Sequence, residues 1–180
     1  MRVTEWPNRG MREEIQSALD VLVGKDLWAS GRAADLQWFQ FGQCRTVTDS
    51  RGGAKEVGEY ALHVQCAWRI RKGDVVIVGS RDLYSPAEDT KDGQHFDWEI
   101  PGTSRLDKRI HSIFENETRH LLVSVVEARE AGSFTVQLEN DYELDVFPHD
   151  TLPVEHWRLF RPYKDEPHFV VSGNGIDKEG

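Results

Sequence analysis

The chain has 180 residues, 38% of them apolar, with six tryptophans, and 31 acidic side chains against 22 basic ones for a formal charge of −9. That length and apolar content suit one domain over 1–180 with its own core, and they exclude a globally disordered chain. The acidic balance, without any run of Lys or Arg, argues against nucleic acid, whose affinity comes from concentrated basic side chains; it favours a protein partner, and a basic one.

In chain order, the first pattern is helical. Met11, Ile15, Ala18, Leu19 and Leu22 recur on one face of about three turns, with Arg12, Glu13, Glu14, Gln16 and Asp20 opposite. Pro7-Asn8 precedes this helix and Gly24 closes it. Leu36 to Phe41 is an aromatic-rich strand, and the polar run Thr48 to Lys55 is a loop.

Tyr60 to Ile70 alternates without a break. Tyr60, Leu62, Val64, Cys66, Trp68 and Ile70 share one face; Ala61, His63, Gln65, Ala67 and Arg69 share the other. Arg71 to Asp74 makes a tight turn into Val75–Val78, which pairs back as a hairpin. The continuous apolar character of that second strand predicts deeper burial than its neighbours. Ser85 to Gly93 is the most loop-like segment and the one expected to move.

Ser104 and Asp107 have capping-box spacing ahead of the stripe Leu106, Ile110, Ile113 and Phe114, which predicts a second helix. His120–Arg129, Ser133–Glu139 and Tyr142–Phe147 then form a meander. Three-residue loops at 130–132 and 139–141 pair Ala128 with Phe134, Val126 with Val136, Ser124 with Leu138 and Val136 with Leu144. Asn140 or Asp141 takes the left-handed conformation, and Asp141, Glu143 and Asp145 face outward. Trp157–Phe160 and Phe169–Val171 add short strands. The composite is α+β: a mostly antiparallel sheet of about six to eight strands with two packed helices.

Few sites survive this frame. Two cysteines, Cys44 and Cys66, are too few for a disulfide scaffold, although the pair could meet if their strands paired; Cys66 reads as a buried thiol. His63 and Cys66, three apart on a strand, point opposite ways and cannot share a metal ion. His149 and His156 lack a third ligand. Ser80 after Gly79 is not the G-x-S-x-G elbow, and Gly173-x-Gly175 has no helix after it. No catalytic or cofactor-binding residue is assigned, and no cofactor is expected.

The one chemical constellation is His95, Asp97 and Glu99, alternating with Phe96, Trp98 and Ile100. An extended stretch would set an imidazole and two carboxylates on one face, suited to a divalent metal or to acid–base work in a small-ligand binder or hydrolase-type enzyme. A solvated strand face is the plainer reading. Arg69, Asp141, Glu143 and Asp145, beside the aromatic supply, form the candidate binding face. No apolar run reaches the ~18 residues of a membrane helix and no secretory h-region is seen, so a cytoplasmic protein is expected, with a homo-oligomer as a further option.

The stretch Leu62-His63-Val64-Gln65-Cys66-Ala67-Trp68-Arg69, with Trp157-Arg158-Leu159-Phe160 near the end, resembles small uncharacterised bacterial proteins. Those carry an L-H-x-x-C-x-W-R strand and a sheet ending near W-R-L-F, and the likeness spans residues 30 to 175. Some proteins of this look act beside toxin systems as immunity proteins. The resemblance thus implies a binding or inhibitory role, with no functional residues to carry over. Ala67 departs from the proline associated with its position.

Overall fold

The computed structural model describes residues 8–91, 95–115 and 121–177. Pro7, Asp92, Gly93 and His120, to which the sequence assigned a helix start, a loop end and a strand start, lie outside the described residues. Helix α1 (Asn8–Leu19) leads into β1 (Asp26–Ala33) and β2 (Leu36–Phe41), then the small hairpin β3 (Arg45–Thr48) and β4 (Ala54–Val57). Next come β5 (Tyr60–Val64), β6 (Ala67–Lys72) and β7 (Val75–Gly79), followed by helix α2 (Arg105–Phe114). The rest is β8 (Leu121–Ala128), β9 (Phe134–Leu138), β10 (Tyr142–Phe147), β11 (Glu155–Phe160), β12 (Phe169–Ser172) and β13 (Gly175–Asp177). The α+β class holds, with two helices on a large, mostly antiparallel sheet, but the strands outnumber the expected six to eight.

Eleven strands form one sheet in the order β13-β12-β11-β5-β2-β1-β8-β9-β10-β6-β7, with β3 and β4 apart. The order matters because β5 and β6 are halves of one run of chain. Walking from β5 through β2, β1, β8, β9 and β10 leads back to β6, so the sheet coils round and closes through the chain itself. At the bend, the N–H groups of Gln65 and Cys66 both donate to the carbonyl of His156, at 2.8 and 3.1 Å. The predicted side-chain alternation runs straight through: Leu62, Val64, Cys66, Trp68 and Ile70 are all buried. What was expected as one strand is therefore two, sharing one core face.

Inside the coil, rings from its two sides meet. Phe39 and Trp68 pack edge-to-face at 5.4 Å, and Phe134 and Trp157 at 4.9 Å. The Trp157 indole N–H, fully buried, donates to the Gly132 carbonyl at 2.8 Å, tying β11 to the β8–β9 turn.

Among the described residues, the seam between β1 and β8 holds Asp26↔Leu122 and Leu27↔Leu121 in register. Further along β8, helix α1 satisfies the edge instead. Gln16 Oε1 accepts from the Ala128 N–H (2.8 Å), Gln16 Nε2 donates to the Val126 carbonyl (2.9 Å), and Arg12 Nε donates to the Ala128 carbonyl (2.9 Å). Two residues placed on the solvated side of the helix by periodicity thus do the work of a missing strand.

Several expectations are corrected. Thr48–Lys55 is not a simple loop but the tip and inner ends of the β3–β4 hairpin. Val75 and Val76 are exposed, 63% and 49%, because β7 is an edge strand and only its Val78 end is buried. In the meander, Ala128↔Phe134, Val126↔Val136 and Val136↔Leu144 stand as expected, but a bulge pairs Leu138 with Val123 rather than Ser124. Both loops have left-handed residues, Ala131 and Gly132 in the first, Asn140 and Asp141 in the second. Within the segment expected to move, the described part is tied to α2: Pro86 bridges Ser104, and Glu88 pairs with Arg105 and Arg109.

Helix α2 begins with the full capping box between Ser104 and Asp107, and its Leu106, Ile110 and Ile113 are buried. Asp107 also receives Arg32 of β1 in a two-pronged pair at 2.7 and 3.0 Å, while Arg32 donates to the carbonyls of Trp98, Ile100 and Ala34. Their side chains are 6% and 13% exposed. Removing one partner of so buried a pair leaves the other uncompensated. Arg32→Met is expected to cost ~3–5 kcal/mol in urea unfolding, and Arg32→Met with Asp107→Asn less than that single change; equal losses would show the pair to be incidental.

Candidate binding face

The face opposite the core on β6 and β10 is built by register. Pairing sets Asp145 against Arg69 and Glu143 against Arg71, while Leu144↔Ile70 and Val146↔Trp68 turn inward. Asp145 Oδ2 accepts from Arg69 Nε at 2.9 Å and from Arg71 Nε at 3.2 Å, and its Oδ1 accepts from the Thr135 hydroxyl of β9 at 2.9 Å. Arg71 is fully engaged: it also donates to the Glu143 carboxylate and, through Nη1, to the Gly73 carbonyl. The guanidinium of Arg69 lies over the Phe147 ring, 5.8 Å from its centre.

The sequence thus identified three partners that the fold brings together, Arg69, Glu143 and Asp145, but not their relation. They do not present an acidic row. Asp145 lies beneath the arginines, 9% exposed, and Glu143 is half-covered. Burial pushes the Asp145 carboxyl upward, but the hydrogen bonds from Arg69 and Thr135 and the charges of Arg69 and Arg71 outweigh it and hold it below the usual carboxylate range. Asp141 stands apart, exposed in the β9–β10 turn.

Sequence reasoning missed the rest of this face. An open groove of about 610 Å³ runs across it, lined by Arg12, Arg69, Arg71 and Arg129 together with the carboxylates of Glu127, Glu130 and Asp145, and by Ser133 and Phe147. Arg12 arrives from α1 and Arg129 from the end of β8, 117 residues apart in sequence positions no periodicity connects. Arg12 pairs loosely with Glu130 at 3.7 Å, and Arg129 with Glu127 at 3.2 Å. No local pattern in the sequence marks Arg12 for this face, since its contact to β8 spans 116 residues and forms only once the coil has closed.

The metal candidate does not assemble. Residues 97–100 form a turn in which Asp97 Oδ1 accepts from the Glu99 N–H and the Asp97 carbonyl from the Ile100 N–H. Without an extended stretch, His95, Asp97 and Glu99 lose the shared face that alternation would have given. Among the described residues, no group of three or more His, Cys, Asp or Glu side chains is arranged to hold a metal ion. Cys44 is exposed and Cys66 buried, both as free thiols, so the disulfide is absent; burial pushes the Cys66 thiol up to about 12. His149 and His156 serve the bend instead. The Ala67 N–H donates to His149 Nδ1 at 3.2 Å, and His156 Nε2 sits 3.4 Å from Asp150.

On the other side of the bend, the outward face of β5 carries His63. It packs edge-on against Phe160 at 4.7 Å, and Phe160 stacks on His168 at 4.4 Å. Burial, then the charge of Arg158 opposite it in β11, lowers His63 to about 4, with Glu155 opposing and His168 and Lys55 adding to the drop. The bend thus sends His63 and Arg69, on one face by parity, to different half-sheets.

No helix among the described residues is long and apolar enough to cross a membrane. Comparison of the chain with protein-family models, curated proteins and solved structures finds no match in any of the three.

His63 yields a pH prediction. Its folded value of about 4 lies below the ordinary 6.5, so between them the unfolded chain binds a proton that the folded one refuses. Its contribution is whole above pH 6.5 and is lost as the pH falls toward 4. His63→Gln is expected to make stability against pH shallower across that window in thermal unfolding; a slope unchanged from wild type would remove His63 as its source.

Proposed function

We propose that this chain is a protein-binding module, of the inhibitory kind that its immunity-like strand resembles, and that its partner docks on the groove over β6, β8, β9 and β10. The observation that carries the reading is the gathering of four arginines, paired in part with Glu127, Glu130 and Asp145, and of the Phe147 ring on one open groove. Arginine and aromatic anchors supply most of the energy at protein interfaces, and they do so best when held in place beforehand. Here the Asp145–Thr135–Arg71 network holds one of them.

The His95, Asp97 and Glu99 alternative gains no support from a turn that separates the three. Catalysis is therefore not part of the reading.

The test is affinity purification of tagged protein from its native cell, comparing wild type with Phe147→Ala and Arg129→Glu on the face and with Val170→Asp on the far half-sheet. One stoichiometric companion, retained by the Val170 variant and reduced at least tenfold by each face variant at unchanged melting temperature, is the expected result. A companion held equally by all four proteins would move the docking site off this face, and wild type with no companion would end the reading.

A further inference from the structure

The four groove arginines are not equivalent. Arg71 spends its donors on Asp145, Glu143 and Gly73. Arg129 is paired with Glu127. Arg69 is held through Nε alone, by a carboxylate that is itself buried and fixed by Thr135, and among the described residues neither of its Nη atoms has a hydrogen-bond partner. Its side chain is 46% exposed. Arg12 is likewise tethered through Nε, to the Ala128 carbonyl, with only a 3.7 Å contact from Nη1 to Glu130. Two guanidiniums are thus held through Nε, and both side chains line one groove.

That is the arrangement that recognises a carboxylate in two-pronged fashion: the planar fork donates two parallel hydrogen bonds, and fixing Nε sets its direction. Ser133 adds a hydroxyl on the groove, and Phe147 an aromatic wall under Arg69. The acidic surplus of the whole chain does not forbid an acidic visitor. At physiological salt, charges beyond about 8 Å are largely screened, so the groove's own groups govern contact; its carboxylates Glu127, Glu130 and Asp145 are each already paired with a groove arginine, which leaves the Arg69 fork to a visitor.

We infer that the groove receives an acidic peptide segment of the partner protein, one of whose Asp or Glu carboxylates is clamped by Arg69 with Arg12 beside it. This rests on the docking face proposed above and reverses the basic partner that net charge suggests. Asp145 is a positioning residue, setting the fork of Arg69 without touching the visitor.

The probes are fluorescein-labelled peptide sets of about twelve residues, each with one aromatic, rich in Asp and Glu or in the matching Asn and Gln. Anisotropy is read against the full chain at about 50 and 300 mM salt. Members of the acidic set are expected to bind, their neutral counterparts not, with affinity falling as salt rises. Arg69→Gln should weaken binding at least tenfold, Arg69→Lys less, and Asp145→Asn should weaken it by loosening the anchor of an unaltered Arg69; Arg161→Gln on the other half-sheet should not matter. Should Arg69→Gln unfold, Arg12→Gln reads the same clamp. Equal binding of both sets, binding by neither, or indifference to Arg69 overturns the inference. Self-association lost in Arg69→Gln, seen by sedimentation, overturns it in favour of a second copy of this chain. Failure here with the native companion still lost in Phe147→Ala leaves the docking face standing; a companion indifferent to the face variants removes the face itself.

Discussion

The carbonyl of His156 is the point on which this architecture turns. A strand that belongs to two halves of a coiled sheet must bend, and a bend interrupts the ladder that satisfies backbone N–H groups. Here the two N–H groups freed at Gln65 and Cys66 converge on one acceptor from β11. The bulge in β11 between Glu155 and Trp157 is what brings that carbonyl round. Because the apolar parity of the run is preserved through the bend, Leu62 and Val64 face the same core as Trp68 and Ile70. The outward residues diverge instead, His63 toward β11 and Arg69 toward β10. The two faces of the molecule follow from that divergence.

Burial of charge is handled in the same way at both of its main sites. At Asp107, burial opposes ionisation, but Arg32, Ser104 and the Gly102 N–H together hold the carboxyl below its ordinary range. At Asp145, Arg69, Arg71 and Thr135 do the same. In each case one carboxylate collects donors from several elements, which is how a buried charge avoids the desolvation penalty. The consequences differ. The Arg32–Asp107 pair is enclosed and ties β1, α2 and the 97–103 turn together. The Asp145 cluster lies at the surface and leaves one arginine with its fork exposed.

What was legible in the sequence is what depends on local periodicity. The capping box at Ser104, the buried stripe of α2, the parity of Tyr60–Ile70 and most of the meander register followed from spacing alone. β1 was not legible because Trp28 sits in a bulge that breaks its alternation, and because Gly31 offers no side chain: a Cβ there would fall 2.4 Å from the Trp38 ring. The apolar run of β7 misled because continuity of hydrophobic residues does not reveal whether a strand is central or at an edge. At the candidate face, parity put Arg69, Glu143 and Asp145 on the outward side of their strands, and β6 and β10 set them side by side. Their neutralisation was not legible, since cross-strand partners depend on which strands become neighbours, and β6 meets β10 only through the closure of the coil.

A charged residue's sign in the sequence is therefore a poor guide to what a partner meets. Asp145 and Glu143 count toward the −9 of the chain, yet at this face their charge is spent on Arg71 and on the back of Arg69. The carboxylate is inside and the guanidinium outside. An exposed arginine on a free stem would lose about 2 kcal/mol of rotamer freedom on binding. Anchoring Nε to a buried, hydrogen-bonded aspartate and stacking the head on Phe147 commits much of that loss at folding, when the core supplies the driving force. What the fold leaves at the surface is a guanidinium fixed through Nε, and its chemistry is that of a cation on an acidic protein.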